Sequence, residues 1–242
     1  MNLIFMKMEL SKFLTIIIPC KNENKIVSKC LDLLNYQNGV KNVKVIVSDS
    51  SDDDETKDNL FKRKKDKFKL KIIDGGLPSV ARNKGVKYVD TPYILFLDSD
   101  VFLLDEELLI DMINFMVDED LDLSTCKFTS TNGRFNRVFN FLFGFQKLTK
   151  YISPFALGGF MMIKTDKFKE VGGFDEEVKI AEDYQLSRKI SFNKFKLFNK
   201  VVFTTPRRFE NKGISYMMMI FIMSYLKRNN KKYFTNDKNY WK

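Results

Sequence analysis

Two aspartates with one residue between them, Asp98 and Asp100, are the first residues whose spacing suggests chemistry. They follow Tyr93–Leu97, five apolar residues without a polar break, a pattern typical of a strand buried on both faces. Ligands of open α/β sheets bind outside the carboxyl ends of the strands, where this pair would lie. The two carboxylates could hold Mg²⁺ or Mn²⁺ together with water and phosphate oxygens. The alternative is a plain turn, since Asp and Ser bond their own backbone in turns.

A second acidic pair, Glu182 and Asp183, opens an apolar pattern that predicts a helix through Leu186 and Ile190. Such a carboxylate can act as a general base if it reaches a reacting hydroxyl directly or through one water. The alternative is that both acids only complement the positive end of the helix dipole, a common use worth up to about 1 kcal/mol.

Three arginines are candidates for binding an anion. Arg82 falls in the first turns of a predicted helix that starts at Ser79, where a cation is unfavourable unless an anion lies beside it. An ordinary surface arginine is the alternative. Arg207 and Arg208 follow the last predicted strand, and guanidinium groups bind phosphate through paired hydrogen bonds.

The composition narrows the chemistry further. The chain has no histidine, which excludes any mechanism that needs imidazole as a base or a metal ligand. A net charge of +10 suggests an anionic partner, such as a phosphate group, a nucleotide or an acidic membrane surface. The basic run at 62–65 lacks interleaved aromatic residues, so we expect a solvated helix face and no nucleic-acid partner. Cys20, Cys30 and Cys126 are odd in number and unlike zinc ligands in spacing, which predicts reduced thiols and a cytoplasmic protein.

Strands and helices are predicted to alternate over the first half of the chain. Strands are expected at 13–18, ended by Pro19, and then at 43–47, 70–73 and Tyr93–Leu97, each followed by a helical pattern. Four such units in about a hundred residues predict a doubly wound α/β sheet. Glycine-rich loops of the dinucleotide-binding and nucleoside-triphosphatase types are missing, which counts against both classes.

The second half is less regular. A strand is predicted at 121–125, a loop at 129–137 and, in the segment 201–209, a last strand followed by the paired arginines. The aromatic-rich stretch 138–152 carries lysines and reads as a helix packed on the sheet, with a bilayer surface as the alternative. The apolar stretch 214–226 abuts a basic cluster and is too short to span a bilayer. It predicts peripheral membrane binding, or packing against the domain or a partner chain.

Seven segments of the sequence, taken together and in order, resemble the family 2 glycosyltransferases, which have the GT-A fold. The resemblance covers roughly residues 13–210, most of the chain. The segments are Ile-Ile-Ile-Pro-Cys-Lys-Asn-Glu (16–23), Val-Ile-Val-Ser-Asp (45–49), Ala-Arg-Asn-Lys-Gly (81–85), Leu-Phe-Leu-Asp-Ser-Asp (95–100), Gly-Gly-Phe (158–160), Val-Gly-Gly-Phe-Asp-Glu (171–176) and Ala-Glu-Asp (181–183).

The resemblance implies an α/β protein with a mostly parallel central sheet flanked by helices, and a nucleotide-sugar donor, UDP- or GDP-linked, over its first half. It also implies an inverting, metal-dependent transfer of one sugar to an acceptor hydroxyl or lipid phosphate of a glycan or lipid-linked acceptor in the cell envelope. The residues implied for the donor are Pro19, Asn22, Glu23, Asp49, Arg82 and Asp98, with Arg207 and Arg208 on its diphosphate; those for Mn²⁺ or Mg²⁺ are Asp98 and Asp100; those for the acceptor are Glu182, Gly158, Gly159 and Phe160.

The resemblance assigns the general base to Asp183, which would take the proton of the acceptor hydroxyl as its oxygen attacks the anomeric carbon. Two departures from the family pattern matter. Many relatives have a metal-binding histidine after the last strand, which this chain lacks, so the metal would rest on Asp98 and Asp100. The Gln-x-x-Arg-Trp motif of processive synthases is also missing, because Lys189 follows Arg188, which favours a single addition.

The expected organisation is an N-terminal extension (1–12), a catalytic domain (13–210) and a C-terminal helix with a basic tail (211–242). Residues 13–104 would form the donor half of the domain and 105–210 the acceptor half. We expect a cytoplasmic location, with the inner face of the cell membrane as the place of peripheral contact.

Three other functions remain open at this stage. A phosphatase of the haloacid dehalogenase type also uses a strand followed by Asp-x-Asp, but on its first strand and with Thr or Val where Phe102 stands here. A nucleotidyltransferase would share the sheet and the metal but would consume a triphosphate. The absent histidine would suit a non-catalytic sugar-nucleotide-binding module, but the presence of Asp100, Asp183 and both arginines argues against it.

Overall fold

The sheet is the framework of the molecule. The computed structural model describes residues 9–52 and 54–236, and in this part of the chain eight strands form one sheet. The strands are β1 (Leu14–Cys20), β2 (Lys44–Asp49), β3 (Lys69–Asp74), β4 (Tyr93–Leu97), β5 (Val101–Phe102), β6 (Leu123–Ser130), β7 (Phe160–Lys164) and β8 (Phe195–Thr204).

The strand order is β3-β2-β1-β4-β7-β6-β8-β5. The first four of these strands are mutually parallel, β6 and β8 are parallel to each other, and β7 is antiparallel to both β4 and β6. The carboxyl ends of β1, β4 and β8 and the amino end of β7 therefore meet at one edge of the sheet. The mostly parallel α/β sheet flanked by helices was predicted correctly.

Helices cover both faces of the sheet. Their apolar residues recur at helical spacing, as in the first helix, where Val27, Cys30, Leu31 and Leu34 are all buried. The helices are α1 (Asn24–Tyr36), α2 (Glu55–Phe61), α3 (Pro78–Val86), α4 (Leu108–Asp118), α5 (Asn136–Thr149), α6 (Thr165–Glu170), α7 (Glu182–Ser187), α8 (Arg207–Lys212), α9 (Ile214–Leu226) and α10 (Lys231–Thr235), with short 3₁₀ turns at Leu10–Lys12 and Phe192–Lys194.

Strand β4 lies at the centre of the core and all five of its residues are buried. Its side chains alternate between two apolar clusters, since Leu95 and Leu97 pack in one while Ile94 and Phe96 pack in the other. Burial on both faces explains why this stretch has no polar residue. It also fixes the position at which the chain leaves the sheet as Asp98.

Several predicted boundaries were wrong by a few residues. Strand β1 continues through Pro19, which pairs with Ser48 of β2 but lies beyond the last residue of β1 that pairs with β4. Because only one neighbouring strand remains at this position, the missing N–H of proline is tolerated there. Helix α2 ends at Phe61, so the basic run 62–65 follows the helix instead of lying on it. Helix α7 ends at Ser187, before Ile190.

Larger differences occur around β6 and β8. Strand β6 runs to Ser130 and α5 begins at Asn136, which shortens the predicted loop at 129–137. Strand β8 begins at Phe195 and ends at Thr204, so Arg207 opens a helix instead of following a longer strand. Strand β5 was not predicted.

The C-terminal segment packs against the rest of the molecule. Helix α8 crosses the predicted boundary at 210, and the backbone of Lys179 bonds that of Phe234 in α10. Residues 1–8 of the predicted extension and 237–242 of the predicted tail lie outside the described residues. Among the helices of the described residues, none has the length and apolar character needed to cross a membrane.

Candidate active site

The sheet edge brings together side chains that lie far apart in the sequence. Asp98 and Asp100 follow β4, Gly158 precedes β7, and Arg207 follows β8. Helix α7 adds Glu182 and Asp183 to the same place, where the backbone N–H of Gly158 donates to Oδ2 of Asp183 at 2.7 Å.

Arg82 joins the two acidic pairs. Its Nη2 donates to Asp98 Oδ1 at 2.7 Å and its Nη1 donates to Glu182 Oε1 at 2.6 Å, while only 2% of the residue is exposed. Burial acts to lower the pKa of Arg82, but the carboxylates of Asp98 and Glu182 outweigh it and the net shift is upward. The anion that Arg82 requires near the start of α3 is therefore supplied by the protein itself, and the surface alternative is wrong.

Asp183 is held in an unusual state by its surroundings. Burial and then the carboxylate of Glu182 raise the pKa of Asp183 to about 7, while the N–H of Gly158 and the charge of Arg82 act in the opposite direction. Ala181, directly before this pair, has left-handed backbone angles (φ 52°, ψ 41°), a strained conformation for a residue other than glycine. A strained residue thus directly precedes a carboxylate whose pKa lies near neutral pH, the range that suits a general base.

Asp100 lies in an acidic cluster whose charge Arg207 and Arg208 partly neutralise. Burial raises the pKa of Asp100, Asp98 and Glu23 raise it further, and Arg208 with the hydroxyl of Thr205 acts against them. The Thr205 hydroxyl donates to Asp100 Oδ2 at 2.9 Å. This arrangement leaves a pair of carboxylates whose mutual repulsion a cation would relieve.

Glu23 is fixed by two partners, one on the loop after β4 and one at the start of α8. Its carboxylate accepts hydrogen bonds from the Ser99 hydroxyl and from Nη2 of Arg207, and Arg207 also lies 3.5 Å from Asp100 Oδ2. The sequence did not predict the contacts of Ser99 and Thr205. Ser99 lies between the two aspartates of the Asp-Ser-Asp motif, and its hydroxyl at that position was the feature from which a hydrogen bond within the site could have been predicted.

A cavity of about 610 Å³, the larger cavity, opens beside these residues. Seven of the eight residues implied for the donor and its diphosphate line it, and Ser50 and Gly76 contribute from the loops after β2 and β3. The seven are Pro19, Asn22, Glu23, Arg82, Asp98, Arg207 and Arg208.

Two loops are joined at the rim of the larger cavity. The Ser50 hydroxyl donates to the carbonyl of Gly76 at 2.9 Å and accepts from the N–H of Gly76 at 2.6 Å. A Cβ atom on Gly75 would lie 2.2 Å from Ser50 Oγ and 2.8 Å from the carbonyl oxygen of Ser48, so only glycine fits there. Asn22, which has a left-handed φ of 54°, bonds Ser51 and Asp52 and closes the opposite rim.

A second cavity of about 170 Å³, the smaller cavity, lies on the side of Asp183. It shares Arg82, Asp98, Asp100 and Arg208 with the larger cavity, so the two meet at these residues. Gly158, Gly159, Glu182 and Asp183 line its polar end. Its other walls are apolar and come mainly from α5, α8 and α9: Phe139, Leu142, Phe145, Phe209, Met217, Met218, Ile220, Phe221 and Tyr225.

Two predicted site residues lie elsewhere. Phe160 is 0% exposed in β7, is paired with Leu97 in the core and does not line the smaller cavity, so its burial disfavours the predicted contact with an acceptor. Asp49 accepts from the N–H and hydroxyl of Ser51 and does not line the larger cavity, where the neighbouring Ser50 stands instead. Contact of Asp49 with a nucleotide base stays a prediction.

The predicted metal ligands fit a hard cation. Within the described residues no group of three carboxylate, thiol or imidazole side chains converges as a ready metal site. Asp98 and Asp100 nevertheless line the junction of the two cavities, and Mg²⁺ or Mn²⁺ is commonly held by one or two carboxylates with substrate phosphates and water. The three cysteines are free and buried.

The sequence model of the family described as glycosyl transferase family 2 matches residues 15–172. The chain is similar to a poly(ribitol-phosphate) beta-glucosyltransferase of Bacillus spizizenii, with 30% identity over 126 residues, which are 50% of this chain and 20% of that protein. It is also similar to the poly(ribitol-phosphate) beta-N-acetylglucosaminyltransferase TarS of Staphylococcus aureus, with 27% identity over 187 residues, 74% of this chain and 32% of TarS. The chain thus spans a fifth to a third of the length of these relatives.

Solved structures share the fold. Residues 1–349 of S. aureus TarS in complex with UDP-GlcNAc match with a TM-score of 0.61 and 23% identity over 80% of this chain and 58% of that chain. The mannosyltransferase PcManGT of Pyrobaculum calidifontis, in complex with GDP-Man and Mn²⁺, matches with a TM-score of 0.66 and 16% identity over 87% and 63%. These likenesses confirm the predicted GT-A fold.

Proposed function

Because the chain belongs to glycosyl transferase family 2, we propose that it transfers a single sugar, with inversion, from a nucleoside diphosphate sugar to an acceptor hydroxyl or lipid phosphate. The observation that carries this proposal is the junction of two cavities at Arg82, Asp98, Asp100 and Arg208. A donor in the larger cavity and an acceptor in the smaller cavity would meet there, with Asp183 on the acceptor side.

The donor is proposed to be a UDP- or GDP-sugar whose diphosphate lies beside Arg207 and Arg208. Guanidinium groups form paired, charge-assisted hydrogen bonds with phosphate oxygens, and both arginines line the larger cavity. Structural neighbours were solved with UDP-GlcNAc and with GDP-Man, which supports this class of donor. On binding, the diphosphate would compete with Glu23 and Asp100 for Arg207.

Asp98 and Asp100 would hold Mn²⁺ or Mg²⁺ at the junction. Such an ion acts as a Lewis acid that stabilises the negative charge on a departing diphosphate. The chain's own part is to orient the two carboxylates: Arg82 fixes Asp98, and Thr205 fixes Asp100.

Asp183 is proposed as the general base. The acceptor oxygen forms a bond to the anomeric carbon while the bond from that carbon to the diphosphate breaks, and the hydroxyl proton passes to a carboxylate oxygen of Asp183. A pKa of about 7 leaves a substantial deprotonated fraction at neutral pH and makes the carboxylate more basic than an ordinary aspartate. Glu182, bonded to Arg82, keeps α7 and therefore Asp183 in place.

The acceptor is proposed to be a glycan or a lipid-linked molecule of the cell envelope. The curated relatives are named as poly(ribitol-phosphate) glycosyltransferases, which supports a polymer as the acceptor. The smaller cavity is mostly apolar and aromatic, which suits an acceptor that carries an apolar portion next to its reacting group.

The phosphatase and nucleotidyltransferase alternatives fit less well. The Asp-x-Asp pair follows the fourth strand and not the first, and the family match favours sugar transfer. A non-catalytic module would not need an acidic pair, preceded by the strained Ala181, that lines the smaller cavity beside the larger one.

A thermal-shift panel tests the donor and the metal together. UDP, GDP and their sugars are added with and without Mn²⁺, and a ligand at a hundredfold excess over its dissociation constant stabilises the folded chain by about 2.7 kcal/mol. We expect one nucleotide family to raise the melting temperature, and more so with Mn²⁺. Asp100→Asn should lose the Mn²⁺-dependent part of that shift, whereas Asp166→Asn, an exposed aspartate on α6, should keep it. A panel in which no nucleotide raises the melting temperature contradicts the proposal.

Gly158→Ala tests the placement of Asp183. The added Cβ would lie 3.0 Å from Asp183 Oδ2, 3.1 Å from its Cβ and 3.3 Å from Arg82 Nη2, so these groups must move by a few tenths of an ångström. We expect the turnover number to fall about tenfold with little change in nucleotide binding, because reaction rates are sensitive to such displacements. Gly144→Ala in α5, where a Cβ meets nothing within 4 Å, is the matched control and should keep full turnover. Equal turnover numbers for both variants would show that Asp183 need not stay where it is.

A further inference from the structure

Two stretches of the chain contain no acidic residue. The stretch 123–165, which includes α5, has none, and neither does 211–236, which includes α9, although the chain has 31 Asp and Glu in total. Both stretches carry several Lys and Arg. Some of these cations pair with carboxylates outside the two stretches, as Arg134 does with Glu210 and Lys231 with Glu177. Both stretches nevertheless carry a net positive charge.

The same two helices expose large apolar side chains in stripes. On α5 and just after it, Leu148 is 76% and Ile152 69% exposed, with Phe141 and Tyr151 also exposed. On α9, Met219, Ile222 and Leu226 are exposed at spacings of three and four residues, while Ile220 and Ser224 face inward. We call these exposed residues of the two helices, taken together, the α5–α9 face: Phe141, Leu148, Tyr151, Ile152, Met219, Ile222 and Leu226.

Helices α5 and α9 contact each other through aromatic side chains. Phe145, one turn after Phe141 on α5, packs edge-on against Phe221 and Tyr225 of α9 at 6.1 and 5.3 Å between ring centroids. Phe221 and Tyr225 directly precede Ile222 and Leu226 in the sequence. The exposed residues of the two helices therefore lie next to this contact along the chain, Phe141 and Leu148 on α5 and Ile222 and Leu226 on α9.

Three lysine ammonium groups lie near residues of the α5–α9 face. Lys147 lies over the ring of Phe143 at 4.6 Å, Lys150 over Tyr151 at 4.8 Å, and Lys227 over Tyr233 at 5.5 Å. In the described part of the chain these three lysines contact aromatic rings and form no salt bridge with a carboxylate. Their charge is available to an external anion.

We propose that the α5–α9 face binds the surface of an anionic lipid bilayer, with its apolar side chains at the boundary of headgroups and acyl chains and its lysines among the lipid phosphates. Apolar side chains flanked by lysines are the pattern of surface-bound helices, and basic clusters add attraction for anionic lipids. A second copy of the chain is disfavoured as the occupant, because two faces of like charge would meet. The smaller cavity is lined by Phe145, Phe221 and Tyr225 of the same helices, so a lipid-linked acceptor would reach it from this side.

Vesicle sedimentation of the full chain tests this proposal. We expect binding to vesicles of phosphatidylglycerol and phosphatidylcholine, weaker binding to pure phosphatidylcholine, and release as salt is raised. Leu148→Glu combined with Ile222→Glu should lower the partition coefficient at least tenfold, since two apolar contacts become repulsive charges. Tyr36→Glu combined with Val117→Glu replaces exposed residues on α1 and α4 and should bind as the wild type does.

Three outcomes overturn the proposal: no sedimentation with anionic vesicles at millimolar lipid, equal sedimentation of both double variants, or a concentration-dependent dimer that Leu148→Glu with Ile222→Glu abolishes while vesicles are not bound. Circular dichroism and thermal melting show whether each variant is folded. Nucleotide binding in the thermal-shift panel is independent of vesicle binding, because the α5–α9 face does not line the larger cavity. Loss of vesicle binding with nucleotide binding retained thus concerns this inference alone, and the reverse result concerns only the proposed transfer.

Discussion

Replacing Asp183 by asparagine is expected to lower the rate of sugar transfer by about 10²- to 10⁴-fold, the range typical of losing a general base. Asparagine has nearly the same shape but cannot accept the proton of the acceptor hydroxyl. The rate is measured as release of nucleoside diphosphate from the sugar nucleotide that gives the largest thermal shift. Nucleotide affinity should be unchanged, because Asp183 does not line the larger cavity.

The pH dependence gives a second readout of the same group. Burial and Glu182 raise the pKa of Asp183 to about 7, so the carboxylate is protonated and inactive as a base at lower pH. The rate should therefore rise as pH increases through about 7, and Asp183→Asn should lose this dependence. Asp166→Asn is the control with unchanged rate. A variant Asp183→Asn that keeps more than a tenth of the wild-type rate would remove Asp183 from the role of base.

Arg82→Met is expected to lower the free energy of unfolding by about 3–5 kcal/mol, measured by urea denaturation. Methionine fills a similar volume, but it leaves the partly buried carboxylate of Asp98 and the buried carboxylate of Glu182 without their partner. The loss is therefore expected because two negative charges are left without their cation.

Two further variants separate this cause from simple loss of packing. Arg82→Met with Glu182→Gln should recover part of the lost stability, because one unpaired carboxylate is removed. Arg134→Met breaks the exposed pair with Glu210 and should cost less than about 1 kcal/mol. If Arg82→Met costs no more than Arg134→Met, Arg82 is not the link between the two acidic pairs. Should Arg82→Met fail to fold, Arg82→Lys keeps the charge but not both bonds and should show an intermediate loss.

The sequence predicted those parts of the fold that local pattern determines. Tyr93–Leu97 was predicted to the residue because a strand buried on both faces must be apolar throughout. Strand β8 begins six residues earlier than predicted, since Lys196 and Lys200 interrupt the apolar pattern where the strand is partly exposed. Strand β5 consists of Val101 and Phe102 and exists only through pairing with β8, a contact between residues about a hundred positions apart that no local pattern encodes.

For the site, residue types were predictable but partnerships were not. The anion beside Arg82 was predicted as a ligand, yet the structure supplies Asp98 and Glu182, the latter a hundred residues away. Phe160 follows two cavity-lining glycines, but the alternation of β7 turns it into the core. The apolar walls of the smaller cavity come mainly from α5 and α9. The sequence indicated only that these helices are rich in aromatic residues and methionine, and left open whether they pack on the domain, contact a membrane or, for α9, bind a partner chain.

The most direct test of the central claim is a crystal structure of the chain with Mn²⁺ and the nucleoside diphosphate identified in the thermal-shift panel. The account predicts the nucleotide in the larger cavity, Mn²⁺ on Asp98 and Asp100, the diphosphate against Arg207 and Arg208, and its terminal phosphate facing the smaller cavity that holds Asp183. A nucleotide bound elsewhere, or one whose terminal phosphate points away from the junction of the two cavities, would contradict it.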